Sequence, residues 1–387
     1  MILELKPFKW LALKRYNWKN YDFSLIAVVV MLSLISTFIL SRAASSFSIT
    51  KQVFGLIFGF TVMFIVSIMD YHTLCRFVIF FYAVATLMVA ATRFSPIGTD
   101  LSTNSFRWLS IGDNYFQPSE VTKIVVILTL AAFFNRYVEN EDKNIRSWKV
   151  FFLACFITFI PTGFILIQSD LSSSIVIIMI LVMMLISSGV GARILGPVAA
   201  IVIPLIGGFF WYITTPGEKL FLNEYQVERI VGFLHPEEEA LGTMFQQNNS
   251  VVSIASGKLY GKMMVDSGEG VRNYNTVSVR DSDFVWTPIS EEFGFLGCMV
   301  ILAMLSFIII KCFISAKHAR DYTGMMIAIG IATMFTIQVF FNIGVATSIL
   351  PNTGLPLPFL SNGLSSMLSS MIAIGLLINI RIQPARR

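Results

Sequence analysis

Charged residues, histidine and cysteine are all scarce in this sequence, and each scarcity excludes a class of protein. Only 13% of the 387 residues are charged, whereas 55% are apolar and the mean hydropathy is +0.74. This composition excludes an ordinary soluble domain and predicts an integral membrane protein. Three histidines without ligand spacing argue against a histidine-based metal site. Four cysteines in or beside apolar runs predict free thiols rather than a disulfide framework.

The net charge of +5 does not indicate a nucleic-acid partner, because the cations cluster in short loops between apolar runs. A cleavable signal peptide is not apparent, since the first apolar run is long enough to span a bilayer and lacks an Ala-x-Ala end. The basic and aromatic residues 1–22 indicate a cytoplasmic arm lying against the membrane interface. A disordered basic tail is the alternative interpretation of the same residues.

Apolar runs long enough to cross a bilayer recur along the chain and predict about ten transmembrane helices. Helices are expected because hydrocarbon offers no water to satisfy the backbone groups. The predicted helices cover residues 23–40, 53–68, 77–91, 119–134, 150–167, 171–188, 194–213, 289–313, 324–348 and 361–380. The predicted fold class is an all-α polytopic membrane protein with a single domain, residues 1–387.

Lysines and arginines concentrate in alternate short loops, and the positive-inside rule then places both termini in the cytoplasm. The polar segments 92–118 and 214–288 consequently lie on the outer side of the membrane. The second segment forms a large loop between helices 7 and 8. Any site built from these two segments is therefore expected on the outer face.

A carboxylate at the edge of the hydrocarbon is energetically costly, and this makes Asp283 the leading candidate for a functional residue. It lies in the stretch 281–286, where the large outer loop leads into the eighth apolar run, and Glu291 and Glu292 follow within that run. Asp281, if close, would raise the pKa of one carboxyl group by like-charge repulsion, or it faces only solvent.

The first outer loop brings an aromatic residue and several charges to the start of a predicted helix. Arg107 and Trp108 lie in the loop, and Ser119, Glu120 and Lys123 follow at the helix start. An interfacial tryptophan and an ordinary helix cap would explain Trp108 and Ser119. They do not explain an acid and a base one turn apart at the outer end of a spanning helix.

Three further polar features interrupt the apolar pattern. Asp170, between two apolar runs, indicates either a polar turn at the surface or a carboxylate that faces a cavity and orients a cation or headgroup. The proline- and glycine-rich segment 350–363 breaks the helical pattern, and at membrane depth such backbone must be buried in protein or line a cavity. Asn342, inside a predicted span, is more typical of helix–helix contact than of chemistry.

Together these stretches resemble the shape, elongation, division and sporulation family, which comprises RodA, FtsW and SpoVE, over almost the whole chain. The order and spacing of the motifs make the resemblance specific, although residues 169–172, 255–258 and 361–364 depart from the usual family pattern. The motifs are Arg107-Trp108-Leu109, Gln117-Pro118-Ser119-Glu120 with Lys123, Gln168 with Asp170-Leu171, Tyr225-Gln226 with Arg229-Ile230, Ser282-Asp283-Phe284, Glu291-Glu292 with Gly294, and Pro351 to Ser361.

The resemblance implies a peptidoglycan glycosyltransferase that polymerises lipid II at the outer face of the bacterial cytoplasmic membrane. It implies a class B penicillin-binding protein as partner and a role in elongation, division or sporulation. It makes Asp283 the family's essential aspartate, Trp108 its sensitive tryptophan and Asp170 its other intramembrane aspartate. A precursor flippase and a non-catalytic scaffold for a penicillin-binding protein are the alternative functions.

The implied reaction is one inverting displacement on an α-linked lipid pyrophosphate, which gives a β-1,4 linkage and releases undecaprenyl pyrophosphate. Asp283 would be its general base. Arg107, Lys123 or Arg229, or a divalent cation such as Mg²⁺ or Mn²⁺, would meet the pyrophosphate, and the sequence leaves that choice open. The expected substrate-binding residues are Trp108, Arg107, Lys123, Glu120, Asp170, Arg229 and Ser361.

Overall fold

Long apolar helices dominate the structure, a computed structural model that describes residues 16–44, 49–99, 106–112, 114–139, 144–215, 232–234, 244–265 and 270–383. A short 3₁₀ turn, Trp18–Asn20, precedes the first helix. The helices are α1 Phe23–Ala43, α2 Ile49–Ile68, α3 Tyr71–Arg76, α4 Val78–Phe94, α5 Pro118–Val138, α6 Trp148–Ile167, α7 Leu171–Ser188, α8 Ala192–Thr214, α9 Phe245–Ser256, α10 Lys262–Val265, α11 Trp286–Lys317, α12 Tyr322–Ala346 and α13 Leu364–Ile382.

The membrane-spanning character predicted from the apolar runs is confirmed. Among the described residues, seven helices are long and apolar enough to cross a bilayer, namely α1, α5, α6, α7, α11, α12 and α13. Shorter apolar stretches, Gln52–Ile68, Val78–Phe94 and Ala192–Gly208, lie in α2, α4 and α8. Each predicted apolar run thus coincides with a described helix whose ends differ by a few residues. The count of ten crossings and the orientation of the chain stay predictions.

The loop between α4 and α5 contains a small antiparallel sheet that the sequence pattern did not predict. Its strands are β1 Gly98–Thr99, β2 Trp108–Ile111 and β3 Asn114–Phe116, in the order β1-β2-β3. Thr99 pairs with Trp108, and Leu109 pairs with Phe116. The sheet fixes Trp108 in a strand and leads the chain into α5, whose first residue is Pro118. Proline suits that position because its missing N–H would have no helical partner there.

The two C-terminal helices form the centre of the bundle. Of their apolar spans, 83% of the residues in α13 and 67% in α12 are buried, against 39% in α1 and α6. Helix α8 lies at the other extreme, because residues 201–208 are all exposed on its surface. A helix that is apolar all round and exposed in this way suits contact with lipid. Most of the polar groups that α12 and α13 carry are consequently enclosed by protein, among them Gln338, Asn342 and Asn379.

Helix α11 is broken near its start, at Gly294. Gly294 has φ 64° and ψ −169°, a conformation that is essentially restricted to glycine. The backbone N–H groups of Phe295 and Leu296 donate to the carbonyl oxygens of Lys258 and Leu259, at 2.9 and 3.1 Å. The turn after α9 therefore supplies the acceptors that the broken helix lacks. The break separates a short first segment of α11, next to Asp283, from the long apolar segment.

Candidate active site

The carboxylate of Asp283 lies at the entrance to α11, against the proline- and glycine-rich segment 350–363. Asp283 is half-buried, and its Oδ2 atom is so close to Gly354 that a Cβ atom on that glycine would be 3.0 Å away. Gly354 also has a φ of +76°, which favours glycine. From α12, the Asn342 Nδ2 atom donates to the backbone oxygen of Asp283 at 2.8 Å. The predicted active-site aspartate is therefore held between a loop and a helix.

Ser361 fixes this loop to the chain just before Asp283. Its hydroxyl donates to the Ser282 carbonyl oxygen at 2.6 Å and accepts from the Leu357 N–H at 2.8 Å. The next residue, Asn362, donates its backbone N–H to the Asp281 carbonyl oxygen at 2.8 Å. Ser361 is only 2% exposed. The structure thus uses its hydroxyl to hold the backbone, and the predicted contact with substrate stays a prediction.

Asp170 caps α7 and connects it to the start of α5. Its Oδ1 atom accepts from the backbone N–H of Ser173 at 3.1 Å, as an N-cap side chain does. Its Oδ2 atom accepts from Gln117 Nε2 and Ser119 Oγ, both at 3.3 Å. Asp170 is 1% exposed, so it is buried within a polar network rather than on a surface turn. Its predicted contact with a headgroup stays a prediction.

Arg107 and the start of α7 extend the polar site away from Asp283. One terminal nitrogen of Arg107 donates to the Ser169 carbonyl oxygen at 2.7 Å, while its Nε atom has no hydrogen-bond partner among the described residues. Ser172 donates to the carbonyl oxygen of Thr353, the residue before Gly354. These contacts bring Arg107, and Trp108 beside it, to the same end of the bundle as Asp283. We call this the site end.

Glu120 and Lys123 form an ion pair inside the bundle. Lys123 Nζ lies 2.7 Å from Glu120 Oε1, and the two residues are 0% and 1% exposed. Because the two residues lie one turn apart on α5, their opposite charges can neutralise each other. The carbonyl oxygen of Glu120 also accepts from Ser369 of α13, at 2.9 Å. Neither charged group reaches the surface in this structure, and their predicted contact with substrate stays a prediction.

The acids at the start of α11 are bound by cations rather than open to a ligand. Lys262 Nζ lies 2.5 Å from Glu291 Oε1. Glu292 pairs with Arg272 at 2.9 Å and with Arg42 at 3.2 Å. The hydrogen bond from Arg272 to Glu292 raises the pKa of that guanidinium. The two glutamates thus anchor Lys262 and residues 272–274 to α11, and so support the turn that carries Asp283.

Two residues that contact Asp283 were not assigned to the site by sequence reasoning. In the sequence, Asn342 is typical of a polar contact between helices, and Gly354 is one of several residues that break the helical pattern. No local pattern distinguishes either, since each meets Asp283 only through the fold. Arg229, a predicted substrate residue, lies outside the described residues. Within the described part of the chain, no three His, Cys, Asp or Glu side chains are grouped so that they could hold a metal ion.

The fold and the site define a multi-pass membrane protein whose central feature is a carboxylate at one end of its helices. Comparison with known families identifies the family of membrane proteins to which the chain belongs. Residues 18–385 match the family described as "Cell cycle protein", which comprises FtsW, RodA and SpoVE. The chain belongs to this family.

Relatives within the family cover most of the chain. It is 28% identical to a probable peptidoglycan glycosyltransferase FtsW of Bacillus subtilis, over 94% of this chain and 91% of the relative. It is 32% identical to stage V sporulation protein E of the same organism, over 83% of each chain. It is 31% identical to the peptidoglycan glycosyltransferase MrdB of Escherichia coli, over 76% of this chain and 74% of the relative.

Solved structures share the fold. A chain of a peptidoglycan synthase complex superposes with a TM-score of 0.75 at 24% identity, covering 94% of this chain and 98% of that one. The rod shape determining protein RodA of Thermus thermophilus gives a TM-score of 0.68 at 22% identity, covering 96% and 100%. The helix arrangement described above is therefore the RodA fold.

Proposed function

We propose that this protein is a peptidoglycan glycosyltransferase that joins lipid II into β-1,4-linked glycan strands. The observation that carries the proposal is Asp283 at the site end, whose carboxylate borders Gly354 and whose backbone oxygen accepts from Asn342 of α12. The names of the relatives support the reaction class, because FtsW and MrdB are both called peptidoglycan glycosyltransferases. The reaction takes place at the outer face of the bacterial cytoplasmic membrane.

Asp283 acts as the general base in a single inverting displacement. Its carboxylate takes the proton from the 4-hydroxyl of the acceptor sugar, and that oxygen forms a bond to the anomeric carbon of the donor. The bond from the anomeric carbon to the pyrophosphate breaks, and undecaprenyl pyrophosphate leaves with the electron pair. The α-linked donor thereby becomes a β-linked product. General base catalysis of this kind contributes about 10²- to 10⁴-fold to the rate.

Arg107 is the cation best placed to meet the departing pyrophosphate. Its Nε atom has no hydrogen-bond partner among the described residues, so it retains donor capacity. Lys123 is committed to Glu120 in this structure. A divalent cation, Mg²⁺ or Mn²⁺, would supply further charge, since Mg²⁺ commonly binds one or two carboxylates together with substrate phosphates. Trp108, adjacent to Arg107, and Arg229 complete the proposed binding set.

The protein works with a class B penicillin-binding protein that crosslinks the strands, in elongation, division or sporulation. The structural likeness to a chain of a peptidoglycan synthase complex supports such a partnership. The donor and the growing strand are both lipid-linked and reach the site from the membrane. Nucleic acid has no part in this function.

A polymerisation assay on purified lipid II tests the proposal. Wild type and Asp283→Asn are compared, each with and without a partner penicillin-binding protein that lacks transpeptidase activity, and each with EDTA or added Mg²⁺. Asp283→Asn keeps the shape of the side chain but removes the base, so strand synthesis should fall about 10²- to 10⁴-fold.

Asp281→Asn is the matched control, because it neutralises a carboxylate two residues away that already accepts from Asn362 Nδ2, at 3.1 Å. It should stay within about threefold of wild type, a free-energy change of less than 1 kcal/mol. Normal polymerisation by Asp283→Asn would show that Asp283 is not the general base. No strands from wild type, even with the partner, would favour a flippase or a scaffold instead.

A further inference from the structure

Three consecutive carbonyl oxygens around Asp283 are all held by the C-terminal third of the chain. The donors come from α12 and from the end of the segment 350–363. The hydrogen bonds run from Asn362 N to Asp281 O at 2.8 Å, from Ser361 Oγ to Ser282 O at 2.6 Å, and from Asn342 Nδ2 to Asp283 O at 2.8 Å. A turn held at each residue has little freedom to change the direction of its side chains.

Asn342 differs from the other two donors because it also connects this turn to the loop. Its Nδ2 atom donates a second hydrogen bond to the carbonyl oxygen of Leu355 at 2.7 Å. Leu355 follows Gly354, the glycine that lies against the Asp283 carboxylate. One amide group thus fixes both the backbone of Asp283 and the loop that borders its side chain.

The acceptor half of the same amide shows that Asn342 is not placed for stability alone. Asn342 is 1% exposed, and its Oδ1 atom has no hydrogen-bond donor among the described residues. A buried acceptor without a donor is unfavourable, and an apolar side chain of the same shape would avoid that cost. The feature that an apolar residue could not reproduce is the pair of N–H donors, both of which serve the Asp283 region.

We propose that Asn342 is a positioning residue, whose amide sets the direction and distance at which the Asp283 carboxylate meets the acceptor hydroxyl. The proposal rests on the proposed function, in which Asp283 is the base. Proton transfer and attack depend steeply on geometry, and a displacement of about 1 Å can cost about 10²-fold in rate. Asn342 itself touches only backbone, so it acts through Asp283.

The test uses Asn342→Leu, which keeps the branching and the number of heavy atoms of the side chain and removes the amide. Lipid II polymerisation is measured as kcat and KM, and the melting temperature is measured in the same detergent. The expected result is a 10- to 100-fold fall in kcat, with KM within about twofold because the lipid-binding surfaces are unchanged. The melting temperature should fall by a few degrees, because the carbonyl oxygens of Asp283 and Leu355 lose their donor while the cost of the unsatisfied Oδ1 atom is removed. Asn342→Ala provides a second variant should the larger side chain not fit.

The matched control is Asn379→Leu in α13, which removes a buried amide at the opposite end of the bundle. Asn379 donates to the Ser67 carbonyl oxygen at 2.8 Å and accepts from the Tyr71 N–H at 3.2 Å, so its amide is satisfied on both sides. Its loss should lower the melting temperature and leave kcat unchanged. A fall in kcat that is confined to Asn342→Leu, beside a loss of melting temperature in both variants, therefore separates the positioning role from a general loss of stability.

Two outcomes would overturn the positioning role. One is a folded Asn342→Leu protein with the kcat of wild type, and the other is a parallel change in KM that would signal lost substrate binding. Asp283→Asn in the same assay keeps the two proposals apart. Activity in Asp283→Asn would show that Asp283 is not the base. A normal kcat in Asn342→Leu, together with an inactive Asp283→Asn, would disprove only the positioning role of Asn342.

Discussion

At the scale of single residues, the sequence revealed the carboxylate but not its surroundings. Asp283 could be identified because an acid at the edge of an apolar run is costly and therefore conspicuous. Gly354 and Asn342 could not, because a glycine in a proline-rich loop and an asparagine in a helix each have common structural explanations. Their importance comes from contacts with Asp283 that only the folded chain creates.

Gly354→Ala tests how closely the loop must approach that carboxylate. The added Cβ atom would lie 3.0 Å from Asp283 Oδ2, so the carboxylate or the loop must move. The φ of +76° adds strain of about 1–2 kcal/mol for alanine. We expect the rate of lipid II polymerisation to fall about tenfold or more, because the base is displaced.

Gly189→Ala separates the two effects in Gly354→Ala. Gly189 has a φ of +88°, but a Cβ atom there would meet nothing within 4 Å. Its substitution should therefore lower the melting temperature by a similar amount and leave the polymerisation rate intact. Equal losses of rate in the two variants would mean that strain alone, rather than contact with the carboxylate, limits activity.

At the scale of elements, the apolar runs predicted the helices well because burial in lipid depends mainly on composition. They could not predict the break in α11, since a glycine such as Gly294 is common in membrane-spanning helices and hydropathy does not reveal its backbone conformation. The sequence pattern did not predict strands β1, β2 and β3, for another reason. Segments of two to four residues are too short to show an alternating pattern.

Gly294→Ala should detach the turn after α9 from the broken helix. A Cβ atom at Gly294 would lie 2.2 Å from the backbone nitrogen of Gly261, so the two backbones could no longer pack. The backbone strain alone amounts to about 1–3 kcal/mol. We expect a lower melting temperature and faster limited proteolysis within residues 257–265 and 270–274, parts of which are bonded to α11.

The control for this variant is Gly196→Ala in α8. A Cβ atom at Gly196 would meet nothing within 4 Å, and alanine favours the helix. The melting temperature and the proteolysis pattern should match wild type. Unchanged proteolysis in Gly294→Ala would show that the ion pairs of Glu291 and Glu292 suffice to hold Lys262 and Arg272 against α11. The close packing of the Gly261 and Gly294 backbones would then not be needed.

At the scale of the whole molecule, a cluster of charged side chains connects the segments that meet at the end of the bundle opposite the site end. His72 in α3 lies between two carboxylates, with Nδ1 2.7 Å from Asp70 Oδ1 and Nε2 in contact with Asp321 at the start of α12. Tyr71 donates to the other oxygen of Asp321 at 2.7 Å. Gln383, near the C-terminus, donates to Asp70 at 3.0 Å. Three distant segments thus meet around His72 and Asp70, which no local sequence pattern indicated.

This cluster makes the stability of the protein depend on pH in a definite direction. Burial by itself would lower the pKa of His72, but the hydrogen bonds to Asp321 and Asp70 raise it from 6.5 to about 9. Since the folded protein binds this proton more tightly than the unfolded chain, the stabilisation is complete below pH 6.5 and is lost as the pH rises through about 9. The lowered pKa values of both carboxyls keep them charged throughout that range.

His72→Gln should therefore melt about 3 to 6 °C below wild type near pH 6, with the gap closing as the pH rises through about 9. The control is His318→Gln, because His318 is exposed and its Nδ1 atom contacts only the Ile314 carbonyl oxygen, at 2.9 Å. Its melting temperature should follow wild type at every pH. A gap for His72→Gln that stays constant from pH 6 to about pH 10 would mean that His72 holds the three segments by shape and hydrogen bonding, without its charge.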